Sequence, residues 1–204
     1  MKIAVIDYGM GNLRSIANAL DYLSIENEAT DDPDEIRAAT HLILPGVGAF
    51  GAAMTAIEQR GLRELLDQQV RKVRKPILGI CLGMQLLATR SSEGGDHEGF
   101  GWIDGEVEQI DARDNLRVPH IGWNPTDFRA DSRIFSDITG PADFYYVHSY
   151  SLRCGAQSVV AQCEYGYPIT AAVEQANVLG TQFHPEKSRM QGLSVLKNFA
   201  SIAG

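Results

Sequence analysis

Apolar residues fall into short unbroken runs in the first half of this chain and into more broken runs in the second. Ile3-Ala4-Val5-Ile6, His41-Leu42-Ile43-Leu44 and Pro76-Ile77-Leu78-Gly79-Ile80 are the unbroken ones, as expected of strands buried on both faces. Between them Leu13, Ile16, Ala17, Leu20 and Leu23 recur at helical spacing. Asp32-Pro33 reads as an N-cap followed by proline at the first helical position. Helical patterns return over residues 51–59, 62–72 and 82–90. Such alternation predicts an α/β fold with a mostly parallel central sheet flanked by helices, and a site among the loops at the carboxyl strand ends.

The second half is richer in strands, expected over residues 106–110, 121–128, 144–147, 159–163, 169–174 and 178–183. Polar turns separate them, such as the one over residues 111–115. A last amphipathic helix over 189–202 directs Leu193, Leu196, Phe199 and Ala200 to the core. Residues 91–101 carry Gly94, Gly95, Gly99 and Gly101 and are expected to form a flexible loop. No repeat or linker interrupts the pattern, so residues 1–204 are expected to form a single domain.

Candidate chemistry sits where these elements meet. Gly79-Ile80-Cys81-Leu82-Gly83 ends a strand and opens a helical pattern around one cysteine. A reversal that abrupt strains the central residue, and the flanking glycines let the chain pass. This is the geometry of a nucleophile elbow with sulfur in place of oxygen, and a helix N-terminus favours the thiolate. A nucleophilic thiol needs a base and an orienting acceptor. His184-Pro185-Glu186 supplies both at the end of another strand pattern. If the segment is extended, the imidazole and carboxylate project the same way. Pro45-Gly46-Val47-Gly48 follows the strand 41–44 and offers backbone N–H groups of the kind that stabilise an oxyanion.

Composition narrows the remaining classes. The chain has 204 residues, 44% hydrophobic and 22% charged, enough for one packed core. The net charge is -8, and its basic cluster, residues 71–75, reads as a solvated helix end, which argues against nucleic-acid binding. Cys81, Cys154 and Cys163 show no metal-ligand spacing, so neither metal nor cofactor is expected. Met1 leads directly into the first strand and no apolar run approaches membrane length, which gives a cytoplasmic expectation.

Pro45-Gly46-Val47-Gly48, Gly79-Ile80-Cys81-Leu82-Gly83-Met84-Gln85 and Phe183-His184-Pro185-Glu186-Lys187-Ser188 together resemble the class I (triad) glutamine amidotransferases in order and spacing. The resemblance implies that Cys81 attacks the glutamine side-chain amide, His184 moves the proton and Glu186 orients His184. Gly46 and Leu82 backbone amides would form the oxyanion hole, with Gly48 in the substrate-binding turn beside it; Gln85 and Glu93 would contact the amino-acid end of glutamine, and the backbone around Ser149 and Tyr150 its carboxylate. Asp7-Tyr8-Gly9-Met10-Gly11-Asn12-Leu13, Val118-Pro119-His120-Ile121-Gly122-Trp123-Asn124 and Tyr145-Tyr146-Val147-His148-Ser149-Tyr150 are similar to one branch of that family. Members of this branch pass ammonia to a (β/α)8-barrel synthase (cyclase) subunit in histidine biosynthesis. That likeness implies a heterodimer, with Asn12, His120 and Trp123 at the subunit contact. Glutaminases of other synthases, for pyridoxal phosphate or anthranilate, a silent interaction subunit and a general cysteine hydrolase are the competing readings.

Overall fold

The computed structural model describes residues 1–112, 116–140 and 142–203. In chain order the first part comprises β1 (Ile3–Ile6), α1 (Leu13–Tyr22), β2 (Asn27–Thr30), α2 (Pro33–Ala38), β3 (His41–Leu44), α3 (Phe50–Gln59), α4 (Leu62–Asp67), β4 (Ile77–Ile80) and α5 (Leu82–Leu86). The rest comprises β5 (Ala88–Ser91), β6 (His97–Glu98), β7 (Ile103–Gln109), β8 (His120–Phe128), β9 (Ala142–His148), β10 (Tyr150–Cys154), β11 (Val159–Glu164), β12 (Pro168–Gln175), β13 (Val178–Thr181) and α6 (Arg189–Ala200).

Among the described residues the strands form two sheets. The larger runs β2-β1-β3-β4-β13-β12-β11-β8-β9. It is parallel from β2 to β13 and antiparallel from there to β9. The smaller runs β10-β7-β5-β6. Side chains alternate across a strand, and here both faces are covered. Ile3, Val5, Ile43, Leu78 and Ile80 pack with Ile16 and Leu20 of α1 and with Val195, Leu196 and Phe199 of α6. Ala4, Ile6, Leu42, Leu44 and Ile77 pack on the other face with Ile36, Phe50, Ile57 and Leu66. That double burial is why these strands read as unbroken apolar runs.

The order in which strands are added reverses between β1 and β3, the switch point at which an open α/β sheet presents a crevice beyond its carboxyl ends. The loops after β1, β3 and β4 meet there. Although β13 is the last strand in sequence, it inserts beside β4, and the Cys81 N–H donates to the Thr181 carbonyl at 2.7 Å. This brings the C-terminal His184 segment to the cysteine.

Several elements depart from the sequence expectation. The helix expected over 82–90 stops at Leu86. Its terminal carbonyls are captured by the following chain: the Phe100 N–H donates to Leu86 and those of Trp102 and Ile103 to Leu87, each at 2.9 Å. Residues 88–91 then pair with β7. Residues 91–101 are more than a loop, because β6 pairs with β5 there. Strand β2, Asn27-Glu28-Ala29-Thr30, is a polar edge strand held by its ladder to β1 and so leaves no apolar signal. Strand β10 was not expected either. The polar turn foreseen over 111–115 lies partly outside the described residues.

Candidate active site

The elbow is built as its glycines require. Cys81 precedes α5 with φ 55° and ψ -110°, a conformation that costs a non-glycine residue of order 1–3 kcal/mol and persists only when the surroundings enforce it. Those surroundings are tight: a Cβ on Gly83 would lie 1.8 Å from the Leu44 carbonyl oxygen. No side chain larger than hydrogen fits between β3 and the start of α5. At five residues, α5 also presents a smaller dipole to the thiol than a helix reaching residue 90 would.

His184 lies three residues beyond β13. Residues 185–187 form a single 3-10 turn, not the extended segment expected, because the proline φ suits a helical start. The Lys187 N–H closes on the His184 carbonyl at 3.1 Å and that of Ser188 on the Pro185 carbonyl at 3.0 Å. The pairing anticipated from the sequence survives this change of backbone. His184 Nδ1 and Glu186 Oε1 are 2.9 Å apart, and both side chains are almost wholly buried. The His184 N–H donates to the Tyr145 carbonyl at 3.0 Å, which fixes the turn on β9.

An ionised carboxylate only accepts, so in the neutral form of the ring Nδ1 carries the hydrogen and Nε2 the lone pair. Nε2 is buried and has no hydrogen-bond partner. The Cys81 thiol points instead to the Val147 carbonyl at 3.7 Å, and Gln182 Nε2 donates to its sulfur, also at 3.7 Å. Burial opposes charge on His184, yet the Cys81 thiol and the Glu186 carboxylate outweigh it and raise the ring pKa from 6.5 to about 9. Hydrogen bonds between catalytic groups commonly tighten only when substrate is bound.

Both groups open on a cavity of about 330 Å³ lined by Val47, Gly48, Cys81, Leu82, Gln85, Glu93, Pro119, Val147, His148, Ser149, Tyr150 and His184. Most of the expected site residues are thereby brought together: Cys81, His184, Gly48, Leu82, Gln85, Glu93, Ser149 and Tyr150. Glu186 stands behind the imidazole. Gly46 is buried beside the elbow, where an added Cβ would lie 2.8 Å from the Gly83 nitrogen. Larger cavities occur elsewhere, one of about 640 Å³ beside β11 among them, but none of these includes the elbow. Glu93 Oε2 accepts from the Phe50 N–H at 2.7 Å, which ties the start of α3 to the cavity wall. Gly48 has φ 100°, so the turn after β3 uses backbone open mainly to glycine.

Sequence reasoning left some residues without a role. The Tyr8 hydroxyl donates to the Pro45 carbonyl at 2.7 Å from a fully buried position, and burial holds its pKa well above the usual phenol value. Tyr8 was visible only as part of a family segment. Gln182 touches both Gln85 and the thiol; its position two before His184 was the only available signal.

The residues expected at a subunit contact separate. On β8, Ile121 and Trp123 project outward, 59% and 44% exposed, while His120 faces inward and is buried. The strand's alternation sends neighbouring side chains to opposite faces, so the His120 ring lies on the face opposite Ile121 and Trp123. Asn12 accepts from the Ser15 N–H at 3.4 Å as the N-cap of α1. The Arg189 guanidinium lies 4.7 Å from the centre of the Trp123 ring. Among the described residues no group of three or more His, Cys, Asp or Glu is arranged to hold a metal. No helix among them is long and apolar enough to cross a membrane.

A family model described as glutamine amidotransferase class-I matches residues 4–203. The chain is 47% identical over 203 residues to "Imidazole glycerol phosphate synthase subunit HisH 2" of Vibrio vulnificus, covering 98% of this chain and 94% of that one. It is 47% identical over 205 residues to the subunit HisH of Moorella thermoacetica, with the same shares covered. A solved structure titled as a glutamine amidotransferase superposes with a TM-score of 0.75 at 20% identity, over 97% and 98% of the two chains, which speaks to the fold. With the match spanning nearly every residue and all three motif-bearing segments inside it, the chain belongs to the class-I glutamine amidotransferase family.

Proposed function

We propose that this chain is the glutaminase subunit of an imidazole glycerol phosphate synthase and works as a heterodimer with a cytoplasmic (β/α)8-barrel cyclase. The observation that carries the chemistry is the free, buried Nε2 of His184 beside Cys81, with Nδ1 held by Glu186. Cys81 Sγ, its proton taken by His184, attacks the glutamine side-chain carbonyl carbon. The carbonyl oxygen becomes an oxyanion facing the backbone N–H groups of Gly46, Gly48 and Leu82. Collapse breaks the C–N bond, and His184 returns the proton to the departing ammonia. Water, deprotonated by the same ring, then cleaves the thioester to give glutamate and the free thiol.

Gln85, Glu93, Ser149 and Tyr150 hold the amino-acid end of the substrate. Hydrolysis without an acceptor wastes glutamine, and the Gly48 turn is the segment able to change conformation when a partner docks on the Trp123 edge. The isolated chain is accordingly a slow glutaminase. The decisive experiment mixes the purified chain with the (β/α)8 cyclase subunit from the same source and measures glutamate release and imidazole glycerol phosphate formation. Glutamine-dependent product formation, with glutamate release at least tenfold faster than from the chain alone, is expected. Equal turnover with and without the barrel subunit, or product formed from added ammonium but not from glutamine, would overturn the reading.

A further inference from the structure

A second buried line of polar side chains reaches the cavity from the wall opposite His184. Asn124 Nδ2 lies 3.3 Å from His120 Nε2, and His120 Nδ1 lies 2.9 Å from His148 Nε2. His148 Nδ1 is in turn 2.8 Å from the Tyr150 carbonyl oxygen. That oxygen also accepts from Gln85 Nε2 at 2.9 Å. Gln85 Nε2 gives its other hydrogen to Gln182 Oε1 at 3.0 Å, and Gln182 Nε2 faces the Cys81 sulfur.

The polarity of this line is fixed from its inner end. A carbonyl only accepts, so His148 carries its hydrogen on Nδ1 and its Nε2 is an acceptor. His120 Nδ1 must then donate, and its Nε2 accepts from the Asn124 amide. Asn124 gives its other hydrogen to the Glu164 carbonyl at 3.0 Å. Both imidazoles are neutral: burial lowers the His120 pKa to about 4 and the His148 pKa to about 3. The His120 ring is clamped between Tyr146 and Tyr165, with centroids 4.8 and 4.0 Å away.

The location gives this line a task. His148-Ser149-Tyr150 is where the chain leaves the nine-stranded sheet at β9 and enters the four-stranded sheet at β10. No shared ladder sets the Tyr150 carbonyl relative to the elbow, so the His148 bond sets it instead. We propose that His120 and His148 are positioning residues for glutamine, holding the Tyr150 carbonyl and the Gln85 amide in place through a hydrogen-bond line of single polarity anchored at Asn124. The proposal rests on the glutaminase reading of the cavity. It gives His120 a role inside the chain where the sequence suggested one at the surface. Because Ile121 and Trp123 leave the same strand on the outer face, a subunit seated there also bears on the outer end of the line.

Imidazole 15N NMR of the full chain labelled in histidine tests the polarity directly. At neutral pH two buried rings with hydrogen on Nδ1 and a bare Nε2 are expected, and finding either of them with hydrogen on Nε2 alone overturns the proposal. In Asn124→Asp an acceptor replaces the donor, so His120 is expected to gain hydrogen on Nε2; an unchanged His120 spectrum would count against it. In the complex with the barrel subunit, His148→Leu and His120→Leu are expected to raise KM for glutamine about 10- to 100-fold while kcat changes less, as for a buried acceptor left unpaired. His148→Asn keeps a donor near the Nδ1 position and is expected to restore most of the loss. An unchanged KM in both leucine variants, or an asparagine variant no better than leucine, refutes the positioning role. If leucine is not tolerated, the tautomers and the asparagine variant still decide. Failure of the glutaminase reading shows separately, as no ammonia released from glutamine by the unsubstituted complex, while the tautomers continue to report on the line.

Discussion

The two walls of the cavity use histidine in opposite ways. On the β13 side, His184 faces a buried carboxylate and a thiol, and its pKa rises to about 9 despite burial. On the β9 side, His148 is equally buried but meets a backbone carbonyl and another imidazole, and its pKa falls to about 3. The rings differ in partners and not in burial. A group asked to shuttle protons is given charged neighbours that make both of its states accessible. A group asked to hold a wall still is given neutral partners that keep it in one state. The contrast follows the sheet: Cys81 leaves the parallel strand β4, and His148 ends the antiparallel strand β9.

The comparison breaks most sharply at the thiol. Cys81→Ala is expected to abolish glutamine hydrolysis while the complex still uses added ammonium at near the native rate. Loss of both activities would mean that the elbow supports the subunit contact as well as the chemistry. His184→Ala comes next, with kcat for glutamine expected to fall on the order of 10²–10⁴-fold, the usual worth of a positioned acid and base. Glu186→Ala is expected to lose on the order of 10- to 100-fold less than that, because an orienting group acts only through the ring it holds. Steady-state glutamate release by each variant in the complex ranks the three. A Glu186 variant as inactive as the cysteine variant would show the carboxylate doing more than orienting.

Tyr8→Phe probes the turn between the walls at lower cost. It removes the hydroxyl that donates to the Pro45 carbonyl and leaves that buried oxygen without this donor. A loss of about 1–3 kcal/mol in unfolding free energy is expected. A fall in kcat with little change in KM is expected beside it, since the turn faces the developing oxyanion and not the amino-acid end of glutamine. Denaturant titration and steady-state kinetics on one preparation separate the two effects.

How much of this was legible in the sequence follows the same division. Strands β1, β3 and β4 announced themselves because both faces are buried and, apart from His41, no position carries a polar side chain. The elbow was legible because steric crowding leaves only glycine possible at position 83, and that constraint prints itself as a motif. Edge strand β2 and the β5–β6 pair carry no such mark, because backbone ladders hold them and almost any side chain serves. The end of α5 was invisible for a related reason: donors from residues 100–103 stop it, and local periodicity has no knowledge of them. His120 illustrates the finest grain lost. Its motif marked the segment, but which face of β8 it occupies is a matter of register, and one residue decides between surface and interior.

The last expected effect follows from the opposed pKa shifts. A histidine whose pKa is raised in the folded chain stabilises it fully below its unfolded value of 6.5, and that stabilisation is lost as pH rises to about 9. For His120 and His148 the sign is reversed. Folded, they stay neutral down to about 4 and 3, so below 6.5 the unfolded chain binds the extra protons and stability falls. The three rings together give a stability maximum near 6.5, with each site contributing a slope of at most about 1.4 kcal/mol per pH unit on its own side. Carboxylates also titrate on the acid limb, so the alkaline limb is the cleaner test. Unfolding free energy measured in denaturant at pH 6.5 and pH 9 is expected to fall more for the native chain than for His184→Asn. If the two chains lose equal stability over that interval, His184 is not held charged by its neighbours, and the contrast between the walls reduces to geometry alone.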